Sequence, residues 1–152
     1  MKKLPIGIQS IEKILAPGNY IYIDKTPLAL QLIDGDAPHY FLSRPRRFGK
    51  SLFLDTLAEI FKGNKELFKT CAIYQTDYDW KPYPVLALSL ASAASDDPAV
   101  FKTSLHELLE EQAQAHGVAI SGATLQAQLR RLVKELRSEE HTSELQSPCN
   151  LV

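Results

Sequence analysis

A basic loop at residues 43–51 constrains this chain more than any other stretch, because it joins two segments with different apolar patterns. The residues before it, Tyr40 to Leu42, are aromatic and aliphatic, as expected of a buried strand. The residues after it, from Lys50 to Phe61, place apolar side chains at helical spacing. The sequence therefore predicts a strand, a loop and a helix in that order.

The residues of this loop indicate an anion as its ligand. A helix that begins at Gly49-Lys50-Ser51 presents unpaired N–H groups and the positive end of its dipole to the loop. In the phosphate-binding motif G-x-x-x-x-G-K-[ST], the lysine contacts the β and γ phosphates and the hydroxyl coordinates Mg²⁺. The expected ligands are ATP and Mg²⁺, with Ser51 as the metal ligand. The predicted nucleotide site consists of Arg44, Pro45, Arg46, Arg47, Phe48, Gly49, Lys50 and Ser51.

The loop departs from this motif at its first glycine position, which is occupied by Arg44. Glycine there would let the chain turn tightly, whereas Arg44 precedes Pro45 and is biased toward extended backbone. The alternative interpretation is a non-enzymatic module whose basic loop binds nucleic-acid phosphates or a protein partner. Such binding to nucleic acid would fall steeply with salt and would not need Mg²⁺.

Residues 41–52, together with residues 22–26 and 4–7, resemble the bacterial AAA-ATPase-like family, in which arginine is usual at this glycine position. The resemblance runs from about Leu4 to at least Leu90. It implies an N-terminal P-loop ATPase domain, which in that family is typically followed by a PD-(D/E)XK nuclease-like domain. The nuclease-like part is missing from this sequence. The resemblance therefore implies the N-terminal part of a larger, truncated ATPase domain.

Length and composition fit one globular domain, since the chain has 152 residues and 45% of them are hydrophobic. The longest apolar runs are shorter than the ~18 to 20 residues of a membrane helix, so we expect a cytoplasmic protein without a membrane partner.

The net charge of −1 argues against a globally basic nucleic-acid binder, and nucleic acid is expected only as a partner of the intact protein. Cys71 and Cys149 have no metal-ligand spacing, and Cys71 is expected to be a small buried residue.

Turn residues, caps and apolar spacing predict the elements of the rest of the chain. Before the loop they predict a short helix ending at Leu15, an extended segment at 20–23 and a helix from Thr26 as N-cap to Ile33. After the helix that follows the loop they predict a short helix at 65–69, a structured connection around Trp80, a buried strand from Val85 to Leu90, a helix capped by Asp97 and a helix from Thr124 to Leu136. Asp24-Lys25-Thr26 is interpreted as a capping cluster in preference to part of the nucleotide pocket. Arg130 and Arg131 are interpreted as a solvated helix face in preference to nucleotide sensors.

The predicted fold class is α/β, with a P-loop NTPase-type strand-loop-helix at its centre. Residues 1–136 are predicted to be the N-terminal part of this domain. Residues 137–152 lose the apolar period and resemble the conceptual translation of a sequencing-library adapter, so they are predicted to be an artefactual or disordered tail. No catalytic residue is assigned, because no downstream apolar strand ends in an acid that would hold Mg²⁺. The sequence thus predicts ATP binding, with ATPase activity expected of the intact protein.

Overall fold

Helices form the regular secondary structure of the computed structural model, which describes residues 2–37, 39–91, 93–122 and 124–145. The chain divides into two compact units, Met1–Val85 and Leu86–Val152. The helices are α1 (Ile11–Leu15), α2 (Thr26–Ile33), α3 (Lys50–Phe61), α4 (Pro98–Ala115) and α5 (Leu125–Leu145), with two 3₁₀ helices at Lys65–Phe68 and Ala72–Gln75.

The prediction of an α/β fold is wrong, because no β-strand forms within the described ranges. Among the described residues, a parallel bridge joins Lys3 and Tyr20. The two runs predicted as buried strands, residues 40–42 and 85–90, have no strand structure, and Phe41 is 93% exposed. A strand requires a neighbour to pair its backbone N–H and C=O groups. Apolar composition predicted burial for these runs, but it does not supply the neighbour.

The core of the first unit forms where α3 meets the shorter helices. Its buried residues are Ile11, Ala29, Phe53, Ile60, Phe68, Cys71 and Ile73. Phe53 and Ile60 lie two helical turns apart, so they project from the same side of α3. Trp80 packs against Phe68 and Tyr78 with ring centroids 5.7 Å and 5.3 Å away. This packing confirms the prediction of a structured connection around Trp80.

Asp24 and Thr26 tie the start of α2 to the second 3₁₀ helix. The Asp24 carboxylate accepts one hydrogen bond from the Thr26 N–H (2.8 Å) and another from the Ala72 N–H (2.7 Å). The buried Thr26 hydroxyl accepts from the Ile73 N–H at 3.2 Å. These bonds support the interpretation of this cluster as structural, although the N-cap residue of α2 is Lys25 rather than Thr26. The adjoining Cys71 is buried as expected, and burial raises the pKa of its thiol to about 11.

The second unit is built on α4 and α5. Asp97 caps α4 as predicted, since its carboxylate accepts a hydrogen bond from the Ala99 N–H at 2.8 Å. The buried core residues are Leu109, Ala113, Leu132 and Leu136. His106 on α4 and Gln128 on α5 form a partly buried contact, in which His106 Nδ1 lies 2.6 Å from the amide oxygen of Gln128.

Helix α5 continues beyond its predicted end at Leu136 and runs to Leu145. The interpretation of residues 137–152 as an artefactual or disordered tail stays a prediction. Residues 146–152, which include Cys149, lie outside the described residues. In the described part of the chain, no helix is both long enough and apolar enough to cross a membrane.

Candidate phosphate-binding loop

The loop before α3 is closed by its own lysine. Lys50 is the first residue of α3, and its ammonium donates a hydrogen bond to the Arg44 carbonyl at 2.8 Å. Residues 44–49 are exposed, as is Ser51, while Lys50 is half-buried. The predicted bounds of the helix, Lys50 to Phe61, are confirmed. The sequence pattern thus located the loop and the helix, but it gave no signal of the Lys50 bond.

The backbone of the loop alternates between left-handed and ordinary conformations. Arg47 has a φ of 67° and Gly49 a φ of 73°, whereas Arg46 and Phe48 have negative φ. Loop backbone that includes left-handed residues is typical of the concavities in which successive N–H groups bind an anion. Arg47 is the one described residue other than glycine with a positive φ, a conformation that costs about 1 kcal/mol or more for a side chain with a Cβ.

Arg44 fits the loop because its position does not require glycine. Its φ is not positive, and the part of Arg44 that contacts Lys50 is the backbone carbonyl, which every residue has. The sharp turning of the chain occurs three and five residues later, at Arg47 and Gly49. The departure from the phosphate-loop motif at Arg44 is therefore compatible with the observed loop.

Side-chain oxygen atoms accept hydrogen bonds at the start of four of the five α-helices. The Ile11 N–H of α1 donates to the Asp55 carboxylate at 2.6 Å. At the starts of α2 and α4, the Thr26 and Ala99 N–H groups donate to the carboxylates of Asp24 and Asp97. The Ala127 N–H of α5 donates to the Thr124 hydroxyl at 3.2 Å. These acceptors pair backbone donors that have no partner inside the helix.

Helix α3 differs from the other four. Its N-cap residue is Gly49, which has no side chain, and no described side-chain oxygen accepts from the N–H groups of its first turn. The first backbone bond of α3 runs from the Phe53 N–H to the Gly49 carbonyl at 2.9 Å. The donors of Lys50, Ser51 and Leu52 precede that bond, so the start of this 12-residue helix suits an anion.

Carboxylates are also absent from the sequence around this helix start. No acidic residue occurs between Asp36 and Asp55, and the Asp55 carboxylate is bonded to α1. In the part of the chain that the structure describes, the loop arginines Arg44, Arg46 and Arg47 form no ion pair. The loop therefore carries four positive charges, and none of them forms an ion pair with a described carboxylate.

A cavity of about 660 Å³ lies elsewhere in the first unit, and none of its lining residues belongs to the loop. Its walls include Glu59 and Glu66, whose carboxylates form ion pairs with Lys62 and Lys69. The described residues contain no group of three or more His, Cys, Asp or Glu side chains able to hold a metal ion. We therefore take the loop, rather than this cavity, as the candidate site.

Residues 5–144 of the chain match the family described as predicted AAA-ATPase, and the chain belongs to that family. A protein described as an uncharacterized protein in the vnfD 5′ region of Azotobacter chroococcum mcd 1 is 46% identical over 135 residues. The match covers 88% of this chain and 26% of that protein, so the chain spans about a quarter of the length of this relative. No solved structure matches the chain.

Proposed function

We propose that residues 44–51 bind the phosphates of ATP together with Mg²⁺. The observation that carries this proposal is the start of α3, where a loop closed by Lys50 presents N–H donors that no described side chain accepts. The unneutralised cations of the loop add an electrostatic preference for a highly charged anion. The family description supports a nucleotide over a simple inorganic anion.

Each part of the loop has a role in this proposal. Lys50 exchanges the neutral Arg44 carbonyl for a phosphate oxygen, which is the stronger, charge-assisted hydrogen bond. The N–H groups from Arg46 to Lys50 contact the phosphates, and the side chains of Arg44, Arg46 and Arg47 contribute positive charge. Pro45 and Phe48 belong to the backbone path that positions these donors.

The exposed Ser51 hydroxyl lies one residue after Lys50, and its oxygen is a ligand type that Mg²⁺ accepts. Bound Mg²⁺ would neutralise phosphate charge. Since Mg²⁺ usually keeps several water ligands, one hydroxyl and the phosphate oxygens suffice to hold it at this site.

The test is calorimetric titration of the purified chain with Mg-ATP. Lys50→Ala should weaken binding about 10- to 150-fold, which corresponds to about 1.5–3 kcal/mol for one hydrogen bond to a charged group. Lys13→Ala is the matched control, because it removes the same charge from an exposed position of α1 in the same unit. We expect the control to bind Mg-ATP like the wild type.

Equal affinity of wild type and Lys50→Ala for Mg-ATP would contradict the proposal. Chelation of Mg²⁺ supplies a second criterion, since a site that uses Ser51 and Mg²⁺ should lose affinity for ATP in EDTA. Binding that falls steeply with salt and is unaffected by EDTA would favour the non-enzymatic basic module.

A further inference from the structure

Positive charge in this protein is concentrated in the unit that contains the loop. The first unit, Met1–Val85, has 12 basic and 9 acidic residues, whereas the remainder has 5 basic and 9 acidic residues. Four of the 12 cations fall between residues 44 and 50, in a stretch of 18 residues (37–54) without any acid. The weakly negative net charge of the whole chain therefore includes a local excess of positive charge, which attracts anions.

Exposed aromatic side chains flank these cations. Phe41 is 93% exposed and Phe48 is 67% exposed, and Tyr40 is also exposed. The same unit buries Phe53 and Phe68 and partly covers Phe61, so the fold buries phenylalanine where a core is available. Phenyl rings in solvent beside arginines without a described ion pair match a ligand that uses both features.

Single-stranded nucleic acid has the matching chemistry. Its phosphates pair with arginine, and its unstacked bases lie flat on aromatic rings, an interaction that tolerates any sequence. A duplex hides these base faces within its own stack, so it would use the cations alone. An anionic membrane also attracts arginine and phenylalanine, but it favours the continuous apolar face of an amphipathic helix. Residues 40–49 form no helix.

We infer that residues 40–48 form a binding surface for single-stranded nucleic acid, in which Arg46 and Arg47 contact phosphates and Phe41 and Phe48 stack on bases. This inference does not rest on the proposed binding of ATP. It uses the exposed rings of Phe41 and Phe48, which have no role in the nucleotide proposal, and it shares with that proposal only the charge of Arg46 and Arg47.

The test is fluorescence anisotropy of the full chain with a fluorescein-labelled 20-mer of thymidine, in EDTA and without nucleotide. Arg46→Ala combined with Arg47→Ala should lower the affinity at least tenfold. The slope of log K against log salt should become less steep by about 1.4, since each phosphate contact on a single strand contributes about 0.7. Arg130→Ala combined with Arg131→Ala is the matched control, because these adjacent arginines are exposed on α5. The control should retain both the affinity and the slope.

Removal of the rings should give a different signature. Phe41→Leu and Phe48→Leu keep apolar side chains but lose stacking, so each should weaken binding about 5- to 150-fold while the salt slope stays the same. Circular dichroism would verify that each variant retains its helices. An unlabelled duplex of equal length should compete less well than the unlabelled single strand.

Three results would overturn the inference. These are wild-type affinity in the Arg46/Arg47 variant, an equal loss in the Arg130/Arg131 control, and stronger competition by duplex than by single strand. Vesicles of phosphatidylcholine and phosphatidylglycerol provide a further arm: binding to vesicles without binding to the oligonucleotide would assign the surface to membranes instead. Loss of Mg-ATP binding would leave the oligonucleotide result unchanged, so the two proposals fail separately.

Discussion

Arg44 shows how a loop can depart from a motif and retain the geometry that the motif describes. Its carbonyl accepts from Lys50, its φ is not positive, and the left-handed residues are Arg47 and Gly49. The sequence indicated that Arg44, which precedes Pro45, would be extended and that the loop would wrap after it. The left-handed residues do lie farther along the loop, at Arg47 and Gly49.

Arg44→Gly should therefore gain nothing in affinity for Mg-ATP, although it restores the motif. The added backbone freedom of glycine in the unfolded chain should lower the free energy of unfolding by about 0.4–1 kcal/mol. Calorimetric titration and urea denaturation measure the two effects. A tenfold gain in affinity would show that the Arg44 side chain obstructs the site and that its carbonyl is not the feature that matters.

Other features of the site have no local signal in the sequence. The positive φ of Arg47 is set by the closure of the whole loop, since arginine has no preference for the left-handed region. The bond from the Ile11 N–H to Asp55 joins residues that are 44 positions apart. Helical spacing locates both elements, but it does not indicate that one supplies a cap to the other.

At the scale of elements, helices were predictable because their signals are local. The predicted bounds of α3 and the cap of α4 at Asp97 are confirmed, since spacing and capping act within one or two turns. Strand predictions at 40–42 and 85–90 failed because pairing depends on a partner that the run itself does not specify. The apolar residues of these runs indicate hydrophobic character, but they do not indicate which segment would pair with them.

Asp24 illustrates how a carboxylate can join two elements. It accepts from the N–H groups of Thr26 and Ala72, and so links α2 to the second 3₁₀ helix. Asp24→Ala should lower the free energy of unfolding by about 1–2 kcal/mol, which is the usual cost of losing a helix-capping acid. Urea denaturation measures the change.

Asp77→Ala is the control for this prediction, because Asp77 is an exposed aspartate in the same unit and lies outside the helices. An equal effect of the two variants would mean that the loss of net negative charge, rather than the loss of the Asp24 bonds, changes stability. Asp24→Asn should lower the free energy of unfolding less than Asp24→Ala does, since its amide oxygen still accepts one of the two hydrogen bonds.

At the scale of the whole molecule, the two compact units have separate cores of different size. Among the described residues, seven core residues are buried around α3 in the first unit and four are buried on α4 and α5 in the second. The sequence-based interval of 1–136 as one domain did not distinguish these cores, because apolar helix faces do not indicate which other faces they contact. Because the described part of the second core is the smaller one, we predict that the second unit is the less stable of the two.

The single tryptophan makes this difference measurable. Trp80 packs in the first unit against Phe68 and Tyr78, so its fluorescence reports the unfolding of that unit. The ellipticity at 222 nm includes α4 and α5 as well. We expect the ellipticity to begin falling at lower urea than the fluorescence changes, since the two probes then follow units of different stability.

Leu132→Ala isolates the second core. Leu132 is fully buried, so its truncation should cost about 2–5 kcal/mol and move the ellipticity transition to lower urea, while the Trp80 transition stays in place. Leu129→Ala is the matched control, because Leu129 lies on the same helix and is 40% exposed; its effect should be much smaller. Parallel shifts of both transitions in Leu132→Ala would mean that the two cores unfold as one cooperative domain. That result would support residues 1–136 as a single domain, because damage to one core would then destabilise the other.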